Sequence, residues 1–236
     1  MMVTPAKRWQ REQQALRKLR EGKQMSGTAQ DRRAAEFDLE LDRRSLSEAG
    51  ESHALRAEIK RDKLLPKWLP QVRRYLDAGE VYPYPPLVWC AIWLFDVGDF
   101  DAGIDYALKA IEQQQPMPEN FASSMGAFVA DTVREWAEGE YAAGRSVEPY
   151  FSRVFQLVTE SWRLHEEITA KYYKLAAQLA LRGEDGLQAK PTAFSNLDQL
   201  ERAQELLQKA SSTSKKAGVG TLLDKVTARI RALSRE

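Results

Sequence analysis

The chain has 236 residues, 43% of them hydrophobic and 29% charged, with a net charge of +1. That composition excludes collagen-like and wholly disordered chains and supplies apolar mass for one sizeable core or two smaller ones. The longest nearly pure apolar run, Leu87 to Phe95, falls short of the roughly 20 residues that cross a bilayer, and Met1 to Gln10 has no apolar stretch that could act as a signal core. The sequence therefore reads as soluble, not exported and not membrane-bound. Its one cysteine, Cys90, cannot form an internal disulfide, and two histidines, His53 and His165, are too few for a zinc ribbon or finger. Neither a metal nor another cofactor is expected.

The small net charge hides an asymmetry. Residues 1–74 hold 18 Lys and Arg against 11 Asp and Glu, so the remainder carries a net of −6. A basic front on an acidic body is the pattern of a chain that meets a polyanion at one end. Within 1–33 nine basic residues (Lys7, Arg8, Arg11, Arg17, Lys18, Arg20, Lys23, Arg32 and Arg33) face three acids.

The chain reads as helix nearly throughout, because Ala, Leu, Glu, Lys, Arg and Gln fill long stretches between Gly and Pro stops and no strand-length alternation occurs. A first helix is expected from Thr4, an N-cap followed by Pro5, to about Gly22, and Gly22 to Gly27 forms a short turn. A long charged helix follows over about 28–63, with a break expected near Gly50. Its weak seam of Ala35, Leu39, Asp42, Leu46, Ala49 and His53 is spoiled by polar residues, which suggests a helix that leaves the body to meet a partner or another subunit. At Leu64-Leu65-Pro66-Lys67-Trp68-Leu69-Pro70 the character changes to that of a compact domain. Helices are expected there at about 67–78, 86–97, 100–114, 119–142, 147–163, 165–182, 194–213 and 219–234.

The expected architecture is all-α. A basic helix at 1–27 and a charged connecting or oligomerisation helix at 28–63 precede a helical core at 64–182 and a C-terminal hairpin at 183–236. Trp93 to Ala102, continued by Tyr106 to Ala110, has the look of one tetratricopeptide-like pair: an apolar helix, a Gly turn, an aromatic residue and a second helix with small residues. The C-terminal pair, with Leu197, Leu200, Ala203, Leu207 and Ala210 on one stripe, reads as a second, degenerate one. Generic helical hairpins explain both equally well.

Chemistry-bearing motifs are few. No GxxxxGK[ST] loop is present to cradle a triphosphate. His165-Glu166-Glu167 begins like a zincin helix, but Thr169 stands where a second His would share the metal. Cys90 sits in an apolar run and reads as a buried, inert thiol. Glu58-Ile59-Lys60 with Asp42 or Asp38 matches the loose D…ExK pattern, in which two carboxylates hold Mg²⁺ beside a lysine. On one straight helix Asp42 and Glu58 would be roughly 24 Å apart at 1.5 Å per residue, so sharing a metal requires a sharp reversal. The basic front remains the positive signal. Two short helices around Gly22 to Gly27 suit a helix-turn-helix module with phosphate-neutralising flanks, and a solvated basic helix explains the same residues.

Three motifs carry a resemblance. Leu64-Leu65-Pro66 with Trp68-Leu69-Pro70, then Trp93 with Asp96, Gly98 and Asp99, then Met117-Pro118, resemble in order and spacing the small terminase subunit of cohesive-end temperate myophages, a family conventionally called the terminase endonuclease subunit. The likeness covers about residues 60–180, and Gly186 to Asn196 looks inserted. It implies a DNA-packaging role in the cytoplasm of an infected bacterium: binding of double-stranded cohesive-end phage DNA, a homo-oligomeric ring, and a large ATPase subunit as partner. Nuclease activity is part of the family's name, whereas the residues read by themselves supply no nuclease or ATPase site. A helical-repeat adaptor for a protein segment and a stand-alone Mg²⁺-dependent endonuclease are the other readings.

Overall fold

A computed structural model describes residues 29–50, 52–183 and 186–235. Among these residues the protein is all-α: there is no strand, only one antiparallel bridge between Arg182 and Gln188. The chain divides into two compact units, one ending at Asn120 and the other starting at Phe121.

In the first unit, α1 (Ala29–Glu48) ends before Gly50, whose left-handed φ of 99° breaks the helical path where a glycine was expected to do so. Helix α2 (His53–Ile59) follows, N-capped by the Ser52 hydroxyl, which accepts from the Leu55 amide. Five residues, Lys60–Leu64, then take π geometry before α3 (Leu65–Ala78), and the Leu65 amide bonds back to the Lys60 carbonyl. The cause is Pro66. It has no amide to give to residue 62, and in an α-helix its ring would press on that carbonyl, so the widened turn takes up the conflict. The glycine at position 79, with φ 70°, closes α3.

Helix α4 (Pro85–Asp96) opens on two prolines and is buried on nearly every side from Leu87 to Phe95, which makes it the central rod of this unit. Gly98 turns the chain at φ 82°, and the Asp99 side chain caps α5 (Phe100–Glu112) by accepting from the Ala102 amide at 3.1 Å. Helices α4 and α5 form a tight hairpin. Gly103 lies so close to Phe95 that a Cβ there would sit 3.2 Å from the ring. Trp68, Val72 and Ile104 of the neighbouring helices are buried with it, and the Cys90 thiol is fully enclosed, its pKa pushed up to about 12 by burial.

The long charged helix does not leave the body. Leu39 is buried, and Asp42, the residue that spoils the apolar seam, is the anchor of α1: its carboxylate accepts from the Trp68 indole at 2.7 Å and from Lys67 Nζ at 2.6 Å. The acid excess also proves local. Residues 75–120 carry one lysine against eight Asp and Glu, whereas 121–236 carry 16 basic and 15 acidic residues. Within the first unit, Lys60 of the basic stretch pairs with Asp96 of the acidic one at 2.7 Å.

The second unit holds α6 (Met125–Ala142), α7 (Tyr150–Gln156) with a π turn at Leu157–Ser161, α8 (Glu166–Ala180), α9 (Leu197–Thr213) and α10 (Gly220–Leu233). The helix expected from 119 starts later because Ser124 caps it, accepting from the Ala127 amide. Tyr172 is enclosed between α6 and α7: its ring stacks on Phe151 at 5.5 Å and its hydroxyl donates to the Ala130 carbonyl at 2.7 Å. Ala177, Leu181, Leu200, Ala203, Leu207 and Val226 form a continuous core of α8, α9 and α10, so the C-terminal hairpin packs through the stripe read from the sequence. Its turn is a 3-10 segment at Lys215–Ala217 closed by Gly218 at a left-handed φ of 64°.

Candidate nucleic-acid interface

Seven of the nine basic residues singled out in the sequence, Lys7, Arg8, Arg11, Arg17, Lys18, Arg20 and Lys23, lie outside the described residues. Arg32 and Arg33 are in the first turns of α1. Arg33 is exposed, whereas Arg32 is half-buried with its guanidinium 4.3 Å from the centre of the Tyr82 ring. Further along the same helix, Arg43 stacks on Trp89 at 4.2 Å and pairs with Glu40 at 2.7 Å. Much of the basic character of α1 is thus spent on packing.

More cations come from the helix over 53–78. Arg56, Lys60, Lys63, Lys67, Gln71 and Arg74 follow spacings of four, three, four, four and three, which on a uniform α-helix would make a single polar stripe. The π turn inserts one extra residue into that period and so rotates the later positions by about 100° relative to the earlier ones. Lys60 consequently reaches Asp96 at the end of α4, while Lys67 reaches Asp42 on α1. Arg61 donates to the Val97 carbonyl at 3.4 Å, Arg73 to the Tyr106 hydroxyl at 3.3 Å, and Arg74 through Nε to the Pro70 carbonyl at 3.3 Å. Sequence reasoning counted these residues in the basic front over 1–74 but singled out only those within 1–33 as DNA contacts. The regular spacing was the available signal.

Below α1 lies a polar network. Tyr75 Oη accepts from the Tyr82 amide and from Gln115 Nε2 and lies 2.6 Å from Gln113 Oε1; Gln115 Oε1 accepts from the Tyr84 amide at 2.7 Å. Burial pushes the Tyr84 phenol up to about 12, so at neutral pH this cluster is uncharged apart from the arginines around it. It ties the loop at 79–84 to the end of α5 and gives Arg32 a flat aromatic seat.

The nuclease pattern does not assemble in the described residues. Asp42 is committed to Trp68 and Lys67, and Lys60 to Asp96. Among the described residues no group of three or more His, Cys, Asp or Glu could hold a metal ion. His165 serves instead as the N-cap of α8, where Nδ1 accepts from the Glu167 amide at 3.2 Å. No helix among the described residues is long and apolar enough to cross a membrane.

Among the described residues the chain is all-helical, with a Trp- and Pro-marked body and no cluster assembled for a metal ion. The model of the phage small terminase subunit family matches residues 37–167, more than half of the chain, and the chain belongs to that family. It is 41% identical over 184 residues to the "Probable terminase, endonuclease subunit" of Haemophilus phage HP1, an alignment covering 78% of this chain and 65% of that one. It is 29% identical over 168 residues to the "Terminase, endonuclease subunit" of Escherichia phage P2, covering 71% and 64% of the two chains. The alignments thus span just under two thirds of these relatives. No solved structure matches the chain.

Proposed function

We propose that the chain recognises the cohesive-end region of double-stranded phage DNA and, as a homo-oligomeric ring working with a large ATPase subunit in the host cytoplasm, directs cutting and packaging of the genome into the prohead. Membership of the small terminase subunit family carries this reading, and the net charge of +6 over residues 1–33 supports DNA contact at that end. In this account residues 1–27 meet DNA, and residues 28–63 and the core at 64–182 meet neighbouring copies. Phe37 and Leu41, 65% and 45% exposed on α1, support a contribution from 28–63. The word endonuclease in the relatives' names favours a second reading, in which this chain cuts by itself. The committed partners of Asp42 and Lys60 count against it, and we assign cutting to the assembled complex.

The reading is tested by competition between two duplexes of equal length, one carrying the cohesive-end region and one with its sequence scrambled. The full chain should prefer the first by at least tenfold at 150 mM salt. Equal competition would leave only non-specific phosphate binding and reject the recognition role.

A further inference from the structure

At the start of α1 is a small cavity of about 120 Å³, lined by Asp31, Arg32, Gln71, Arg74 and the tyrosines at 75, 82 and 84. Small-molecule sites begin at roughly 300 Å³, so this space suits a single oxyanion and not a base or a nucleotide. Its wall combines three phenol rings with two arginines and one aspartate, a net positive lining. Two arginines from different helices reach it, α1 supplying Arg32 and α3 supplying Arg74, and neither makes an ion pair among the described residues.

The hydrogen bonding of both guanidinium groups is incomplete. Among the described residues Arg32 stacks on Tyr82, and its Nε is buried there without a hydrogen-bond partner. A buried guanidinium N–H left unpaired is costly, and such groups normally mark a missing acceptor. Arg74 uses Nε on the Pro70 carbonyl, which leaves its two terminal nitrogens for another acceptor. The phenol oxygens are in the same field: the charge of Arg74 acts on Tyr84, and that of Arg32 on Tyr82. Asp31, the one carboxylate on the lining, has an interaction of its own.

We propose that Arg32 and Arg74 clamp a phosphate oxyanion in this tyrosine-lined cavity, and that in the DNA-bound protein the oxyanion is a backbone phosphodiester. Two guanidinium forks on one small cavity suit a phosphate, with Asp31 as the single opposing charge on the lining. Such a contact sets register and orientation on the duplex without reading bases. Its position also suits the source: α1 begins directly after the basic segment, and Arg33, exposed beside Arg32, continues the positive surface. The assignment of the oxyanion to DNA rests on the DNA-binding reading above, whereas the clamp itself does not.

Arg74 separates the two, because it lies outside the N-terminal set. The full chain and its Arg74→Gln, Arg74→Lys and Lys190→Gln variants are titrated with a cohesive-end duplex across a salt series. Separately, each is titrated with inorganic phosphate while the Tyr82 ring signals are followed by NMR. Arg74→Gln should weaken duplex binding roughly tenfold and flatten the log-affinity against log-salt slope by about 0.9. It should also remove the phosphate-induced shift at Tyr82, with the thermal midpoint unchanged. Arg74→Lys should keep the slope but bind more weakly, since the charge remains and the fork is lost. Lys190→Gln, an exposed charge on the second unit, should match wild type.

An Arg74→Gln variant that equals Lys190→Gln in slope and affinity, with no phosphate shift in wild type, overturns the clamp. A phosphate shift that Arg74→Gln abolishes while the duplex slope stays unchanged retains the oxyanion site and rejects the phosphodiester as its occupant. Wild-type chain that ignores the duplex altogether refutes the DNA reading, and the phosphate titration then decides the clamp alone.

Discussion

A chain lacking residues 1–27 should bind cohesive-end DNA far more weakly than the full chain and should lose most of its salt dependence. The deletion removes seven basic residues, Lys7, Arg8, Arg11, Arg17, Lys18, Arg20 and Lys23, and only two acids. Neutralising Z phosphates contributes a slope of about −0.9Z, so even four contacts give about −3.6 per subunit, or roughly a hundredfold in affinity between 50 and 200 mM salt. A ring multiplies the effect by bringing several copies to one duplex. The body should stay folded, because among the described residues the buried ones of the first unit belong to α1 and to the chain from Leu64 onward. Fluorescence anisotropy with a labelled duplex, paired with circular dichroism, checks both statements. Unchanged affinity with helical content retained would move DNA recognition to α1 or to the body.

The second large effect is structural. Trp68 is 1% exposed, sits next to Pro66 and Pro70, and holds α1 through its indole N–H on Asp42 at 2.7 Å. Trp68→Ala should cost about 3–5 kcal/mol through the cavity alone, a large share of the stability of an ordinary domain. The thermal midpoint should fall by about 10 °C or more. Trp68→Phe fills most of the space but gives up the indole N–H. Asp42 then has Lys67 alone, and the cost should drop to about 1–3 kcal/mol. Equal stability of the Ala and Phe variants would mean that the packing around Trp68 is not what holds the first unit together.

Those two residues show what the sequence made legible and what it did not. The Trp- and Pro-marked run at 64–70 stands out in the sequence, and Leu64, Leu65 and Trp68 within it are buried, as Leu39 of α1 is. Periodicity found the C-terminal hairpin through Leu200, Ala203 and Leu207 for the same reason: apolar residues at helical spacing have one favourable place to go. Asp42 was misread, because a polar residue in a weak seam looks like a defect until its partners are known. Those partners, Lys67 and Trp68, are about 25 residues away, and no spacing in the sequence links them to Asp42. The π turn was equally hidden. Pro66 predicts trouble for a helix, but not that the chain will respond by widening a turn and sending Lys60 and Lys67 to different neighbours. Arg74 was overlooked because a count over 1–74 weighs every cation alike, while geometry selects the one that faces Arg32 across a cavity.

The central claim is that this chain is an oligomeric DNA-recognition subunit, and native mass measurement tests it most directly. The full chain should be measured at low micromolar concentration with and without a cohesive-end duplex. The account predicts one dominant closed oligomer of the 26.9 kDa chain, and a second species heavier by the mass of a single duplex. A monomer that stays monomeric in both conditions, or an oligomer whose mass does not change when the duplex is added, would contradict it.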